Sequence, residues 1–405
     1  MEPQIRPAHP DEMDQFNAIT AYVFNGNHGD EPEHADFRPT PSDWTLCAFV
    51  DGRMVTTFAT IPFTAHFNGV AAKLGGVSAV GTRPEYRRQG IMGRIMRQAI
   101  AEMRDRGQFV AALWASQAAI YQRYGFAQAT HYMQYTLDPA DIRFATAAPS
   151  EGTCKRYHPE DGLALIRQVY VRFVEQRMLA LHRSNLLWTN TVLSTDPANG
   201  PNHIVVYTDA AGEPQGYMVY TLRRGKVAHA SRSQELVIRD VGWLTPEAYL
   251  ALWNFIAKHD LVGRVRVRRL PVDDPTPVFV QEPRLLHAEL HEGIWLRLTD
   301  VVGALEARGY AAAGRLIIEV GGDDIADWNN RVVQVETDGV TTQVTPSSRT
   351  PEIRLSTAAL AALYSGKRTA YTLANWGLLR GDARAIATAS QLFQARYAPH
   401  CPDHF

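Results

Sequence analysis

Residues 74–103 read LGGVSAVGTRPEYRRQGIMGRIMRQAIAEM. A β-like stretch runs into two arginines and two glycines. Ile91, Ile95, Met96, Ala99, Ile100 and Met103 then recur at helical spacing, so one face of the helix is buried. This junction limits the fold more than any other feature. A helix starting directly after a strand presents unpaired N–H groups and a partial positive charge, which attract phosphate. Gly90 removes the Cβ that would hold a phosphate off, and Arg87 and Arg88 add charged donors. The competing reading is a surface helix that happens to begin with arginines. No G-x-x-x-x-G-K-[ST] or G-x-G-x-x-G run occurs, which excludes a P-loop and a dinucleotide fingerprint.

The surrounding pattern is mixed. A short strand at Gln4–Pro7 precedes a helix carrying Met13, Phe16, Ile19 and Val23. Three strands follow, turned at Asp51-Gly52 and Asn68-Gly69, both hairpin dipeptides. The motif helix, expected from Arg87, leads to a buried strand over Phe109–Ser116. A short helix in AAIYQRYGF then turns into a last strand. This domain closes near residue 145, where ATAAPSEGT reads as a linker. The next region repeats the order: a hairpin in HIVVYTDAAGEPQGYMVYTL, then strand, T-P-E turn, helix and strand up to RVRVRRL. It lacks R-R-Q-G, so it reads as a duplicate that has lost its anion site. From about Trp295 a third unit of helices and strands begins. The expectation is an α/β (α+β mixed) protein with domains 1–145, 146–292 and 293–405. The tail APHCPDHF has two prolines and no periodicity, and reads either as a docked end or as a frayed one.

Composition removes several classes of function. The 405 residues suit about three domains, with 45% hydrophobic and 20% charged residues. A net charge of −1 gives no field for nucleic acid or an anionic membrane. Cys47, Cys154 and Cys401 form neither a disulfide framework nor a zinc pattern, which fits the cytoplasm. The N-terminus lacks a signal-peptide core, and no apolar run reaches the roughly 18 residues of a membrane span.

Other clusters stay open. The loop Gly26–Asp36 holds His28, Asp30, Glu31, Glu33, His34 and Asp36. It reads as a solvated loop, an acidic rim for cationic amines, or a metal site. Phe24, Phe37 and Trp44 around it either line an acceptor pocket or belong to the core. His287, Glu289 and His291 alternate as on one strand face, and the alternating arginines of Arg264–Arg269 suggest an exposed or subunit-contacting edge.

The run V-x-x-x-P-x-x-R-R-x-G-I from Val80 to Ile91 resembles the acetyl-CoA motif of the GNAT superfamily of N-acetyltransferases. With A-S-x-x-x-I-Y-x-R-Y-G-F at Ala115–Phe126 and the aromatic C-terminus, it resembles the enhanced intracellular survival (Eis) type. That resemblance covers essentially the whole chain. It implies an active GNAT domain, a degenerate one, and a domain like a sterol carrier protein. It also implies a homo-oligomer, commonly a hexamer, that acetylates aminoglycoside amines and lysine ε-amines with acetyl-CoA and no metal. By this likeness Val80, Thr82, Arg87, Arg88, Gly90, Ile91, Met92, Gly93 and Ser116 face acetyl-CoA. Met92 departs from the superfamily pattern, which has a small residue there. Tyr121 matches the general acid, a phenol of ordinary pKa about 10, with Tyr124 a nearby competitor. The α-carboxylate of Phe405 matches the base; its ordinary pKa of about 3.5 would rise in a dry pocket. Glu and His residues near the cleft are rivals for that role. Phe24, Asp30, Glu33, Trp44, Ser78 and Glu292 are the acceptor-side candidates. A carrier of an apolar ligand and an acyltransferase for longer acyl-CoA are the other functions compatible with the sequence.

Overall fold

The computed structural model of the protein describes residues 2–24, 40–145, 151–195, 200–225 and 231–405. Its contacts divide the chain into two units. One comprises Met1–Thr130, Gly293–Pro399 and His404–Phe405; the other comprises His131–Glu292 and His400–Asp403. The architecture is mixed α/β, as expected.

In the first unit one sheet runs in the order β1 (Gln4–Arg6), β2 (Cys47–Val50), β3 (Arg53–Phe67), β4 (Val70–Thr82), β5 (Val110–Trp114), the strand Ile294–Leu298, and β6 (Ala127–Gln128). Asp51-Gly52 and Asn68-Gly69 turn the hairpins, and all four residues have positive φ, as the tightest hairpin turns require. Strands β4 and β5 are parallel and joined by α2 (Ile91–Asp105), which follows α1 (Met13–Phe24) in the chain. Ile95, Met96, Ile100 and Met103 of α2 are fully buried and share a core with Phe58, Val77 and Leu113. The helix lies close because Gly75 has no side chain; a Cβ there would run into the Met103 sulfur. On the other face of the sheet, Phe16 and Ile19 of α1 pack with Met54, Ala59 and Ala79.

The same unit holds a five-stranded sheet: Thr342–Pro346, Arg331–Thr337, Gly314–Gly321, Ile353–Ser356 and Leu379–Gly381. Its helices Thr357–Tyr364 and Ala383–Leu392 begin at Ser356 and Asp382, whose side chains accept from the amides of Ala359 and Ala385.

The second unit has a seven-stranded sheet in the order Glu289–Glu292, His131–Leu137, Val262–Leu270, Gln234–Trp243, Pro214–Arg224, Asn202–Thr208 and Thr153–Tyr157. Helices Pro159–Glu175 and Pro246–Ala257 cover it.

This division cuts the chain after Thr130 and after Glu292, against limits at 145 and 292 in the sequence reading, and two strands decide it. His131–Leu137 joins the second unit's sheet. Ile294–Leu298 enters the first, filling the place between β5 and β6 with five buried residues. Val262–Leu270, expected at an edge, lies inside the sheet; its Arg264 and Arg266 approach the buried carboxylate of Glu235 at 4.0 and 3.9 Å. Among the described residues no helix is long and apolar enough to cross a membrane.

Candidate functional site

The site begins with a fork in the first sheet. Strand β4 pairs with β5 only at Leu74↔Val110, Gly75↔Ala111 and Gly76↔Ala112. Beyond Gly76 it runs six more residues to Thr82, where among the described residues only β3 pairs with it. A bulge drives the strands apart. Pairing to β3 shifts between Ala59↔Ser78 and Thr57↔Gly81, and Ala79 takes a positive φ of 51°. The fork therefore exposes a backbone edge along Val77–Thr82, a row of amides and carbonyls able to take an extended ligand. Val80 and Thr82 on this edge are half-buried, as is Ser78 beside the bulge.

The helix start that follows β4 leaves backbone donors unpaired. The helix opens at Ile91 rather than Arg87, because Arg88 (φ 63°) and Gly90 (φ 76°) both adopt left-handed conformations. Gly90 is the N-cap and offers no capping side chain, and no acid sits in the first turn. The amide of Arg94 bonds to the Gly90 carbonyl at 3.3 Å, so the amides of Ile91, Met92 and Gly93 have no acceptor in their own helix. Arg87 folds back, its Nε donating to the Thr82 carbonyl at 3.0 Å, while Arg88 is exposed. The large Met92 side chain packs against the α2 core, leaving its amide at the helix mouth.

Tyr121 lies on the short helix α3 (Ala118–Gln122) that follows β5, and is only 4% exposed. Burial pushes its phenol above the ordinary value, and a hydrogen bond with Ser116 acts the other way. The phenol therefore keeps its proton at neutral pH. Tyr124 is also buried and its phenol is raised by burial; a Cβ on Gly93 would come within 3.8 Å of its hydroxyl. The turn behind both tyrosines is fixed by Arg297, whose guanidinium donates to the Tyr124 carbonyl and to both oxygens of Asp323 at 2.7 and 2.6 Å. Gly125 is required there twice over: its φ is 76°, and a Cβ would collide with Arg297.

The tail docks. The Phe405 ring is 8% exposed and lies 4.9 Å from that of Phe63, tilted by 58°. His404 lies against Trp114, the last residue of β5, at 5.0 Å between ring centres. Phe405 therefore sits over Gly76, where the fork opens. Nothing local in APHCPDHF signals Phe63 or Gly76. The available sign was the glycine pair in LGGVSAV, since glycine inside a strand often marks a close approach.

The other candidates scatter. Phe24 ends α1 and is partly exposed, and Trp44 is half-buried on the turn Ser42–Trp44. Asp30 and Glu33, with the rest of the acidic loop Gly26–Asp36, lie outside the described residues. Glu292 belongs to the second unit, exposed at the end of an edge strand and paired in register with His131. His287 leaves the expected strand face, ending a 3₁₀ turn with φ 42°. His291 instead bonds Glu289 at 3.1 Å and stacks on Tyr132. Among the described residues no three His, Cys, Asp or Glu side chains converge as a metal site.

The second unit repeats strand, helix and strand, with the opposite chemistry. Gln234–Trp243 pairs in parallel with Val262–Leu270 only as far as Ile238↔Val267, and again a bulge, between Ile238 and Asp240, follows the last pair. Its helix starts with Pro246, a Thr245 hydroxyl that accepts from the Ala248 amide at 3.1 Å, and Glu247. This start has a filled cap and a carboxylate in its first turn, where the first helix has neither. Past the bulge, Asp240 accepts both Nη groups of Arg183 at 2.7 and 2.9 Å and the Tyr217 hydroxyl at 2.6 Å. The Arg183 Nε donates to Asp403 at 2.8 Å.

Comparison with known proteins agrees with this geometry. Models of the acetyltransferase (GNAT) domain match residues 4–129 and 179–298, and one of the sterol carrier protein domain matches 301–402. An uncharacterised N-acetyltransferase of Streptomyces avermitilis is 32% identical over 375 residues, covering 89% of this chain and 88% of its own. The N-acetyltransferase Eis of Mycobacterium tuberculosis is 30% identical over 317 residues, 77% of this chain and 75% of that protein. The crystal structure of Eis1 from Mycobacterium abscessus superposes with a TM-score of 0.84 at 25% identity, covering all of both chains. The forked strand pair, the open helix start and these likenesses converge: the chain belongs to the GNAT N-acetyltransferases, of the Eis type, with tandem GNAT domains and a C-terminal sterol-carrier-like domain.

Proposed function

We propose that this N-acetyltransferase moves the acetyl group of acetyl-CoA to amines of broad range, aminoglycoside amines and lysine ε-amines among them, by direct attack on the thioester. The observation that carries the reading is the fork, where an uncapped helix start, an unpaired strand edge, a protonated buried phenol and the chain terminus belong to one unit. Acetyl-CoA supplies an activated thioester. The amides of Ile91, Met92 and Gly93, with Arg87 and Arg88, hold its pyrophosphate. The edge at Val80 and Thr82 hydrogen-bonds the pantetheine arm and polarises the carbonyl, and Ser116 lies alongside. The Phe405 carboxylate takes a proton from the attacking ammonium, freeing the nitrogen lone pair. As the new C–N bond forms and the C–S bond breaks, Tyr121 gives its proton to the leaving sulfur and is refilled from solvent, while the nitrogen loses its second proton to solvent. Phe24, Trp44 and Ser78 border the acceptor, and Asp30 and Glu33 supply negative charge toward a cationic amine. The protein works in the cytoplasm as a homo-oligomer, a hexamer by its family likeness.

The test is thiol release from acetyl-CoA with an aminoglycoside or a lysine peptide as acceptor. Amine-dependent release, with Tyr121→Phe reduced about 10²–10⁴-fold, is expected. No release with any amine, together with binding of an apolar ligand by the C-terminal domain, would move the protein to the carrier class. Release only with longer acyl-CoA would change the donor.

A further inference from the structure

We infer that Gly76 and Phe63 form a seat for the terminal residue, and that Gly76 is a positioning residue whose missing side chain sets where the Phe405 carboxylate stands. The inference rests on the proposed role of that carboxylate. Gly76 is the last residue of β4 paired with β5, so it marks the throat of the fork. Its backbone does not need glycine, since its φ lies outside the left-handed region. Space does. A Cβ built there would sit inside van der Waals distance of Phe63 Cε2 and Cδ2 and 3.1 Å from Phe405 Cδ2. The neighbouring Gly75 faces the opposite side, toward Met103, so the two glycines serve different partners. Chain ends usually fray, yet Phe405 is buried and its ring meets Phe63 in the tilted geometry that aromatic pairs favour. His404 against Trp114 fixes the preceding residue on the other arm of the fork. Two ring contacts on consecutive residues leave the α-carboxylate little freedom. A methyl group at position 76 displaces the Phe63 ring and crowds the Phe405 ring packed on it, while leaving the helix start, Tyr121 and the terminal carboxylate itself intact.

The experiment compares the intact enzyme with Gly76→Ala, Phe63→Leu, the double variant, and a chain lacking Phe405, all by thiol release. Gly76→Ala is expected to lower kcat at least about tenfold, toward the level of the truncated chain, since a positioned base contributes about 10²–10⁴-fold. Its KM for acetyl-CoA should stay within about twofold, because the pyrophosphate site is untouched. The double variant should regain part of the lost kcat, as leucine at 63 gives the new methyl room. Melting temperatures identify a folding defect, and if Gly76→Ala is unfolded, Phe63→Leu alone carries the test: it should lower kcat without raising KM for acetyl-CoA. If truncation abolishes turnover while folded Gly76→Ala or Phe63→Leu keeps wild-type kcat, the seat is refuted and the base assignment stands. If truncation leaves turnover intact, the base assignment itself falls, and the seat with it.

Discussion

Arg183 in the second unit is the residue whose loss should cost most stability, and the structure sets the size of the effect. Its side chain is 1% exposed, packed between the rings of Tyr170 and Trp188 at 4.0 and 4.6 Å. It holds two buried carboxylates, Asp240 through both Nη groups and Asp403 through Nε. Replacing it by methionine keeps most of the volume but removes the cation that is hydrogen-bonded to both acids. Breaking a buried pair this way costs about 3–5 kcal/mol. Asp403→Asn should cost much less, no more than about 1.5 kcal/mol. The amide still accepts from Nε, and the site then holds one cation and one anion. Burial pushes the Asp403 carboxyl above its ordinary value, with Arg183 opposing and Asp240 adding to the rise. A raised folded pKa favours the protonated acid, so this contribution is fully present below the ordinary carboxyl range and is lost as pH rises through the raised value. Urea unfolding at several pH values, followed by tryptophan fluorescence, measures both effects. An Arg183→Met variant as stable as the parent, or an Asp403→Asn variant as damaged as Arg183→Met, would refute the reasoning.

Further expectations follow from the same contacts. Gly90→Val forces a β-branched residue into a left-handed N-cap; it should weaken acetyl-CoA binding at least about tenfold by calorimetry while Tyr121 stays buried. Arg297→Met strips the bidentate partner from Asp323 and the donor from the Tyr124 carbonyl, so the melting temperature and kcat should fall together, unlike Tyr121→Phe, which should lower kcat alone. Side-chain hydrogen bonds from Arg6 hold Glu12 down to about 2. That stabilisation is present above the ordinary carboxyl value and lost as pH falls toward 2; an acid titration of Arg6→Met should lack this part of the slope.

What could be read from the sequence was local. Asp51-Gly52 and Asn68-Gly69 specify their turns through residues that tolerate positive φ, and both hairpins form there. The motif helix was legible by its apolar period, but its first residue was not: Gly90 signals a left-handed position, whereas Arg88, equally left-handed, does not. Helix Pro159–Glu175 falls outside the sequence reading although Pro159, Glu160 and Asp161 form a strong start signal. Sheet membership could not be read, because a strand such as Ile294–Leu298 pairs with partners more than 160 residues away, at Ala127 and Gln128. The alternating arginines of Val262–Leu270 suggested an edge; the strand lies inside its sheet, with Glu235 on the neighbouring strand 4.0 and 3.9 Å from Arg264 and Arg266. The partners of the tail were equally hidden. Phe405 finds Phe63, and Asp403 finds Arg183, through contacts that no period or turn encodes.

The most direct test of the account is turnover of acetyl-CoA with an aminoglycoside acceptor by the intact chain and by one ending at His404, with acetyl-CoA binding measured in parallel. The account predicts that both bind acetyl-CoA equally and that only the intact chain releases thiol at a substantial rate. Equal turnover by the two would contradict it, and would place the base on another side chain.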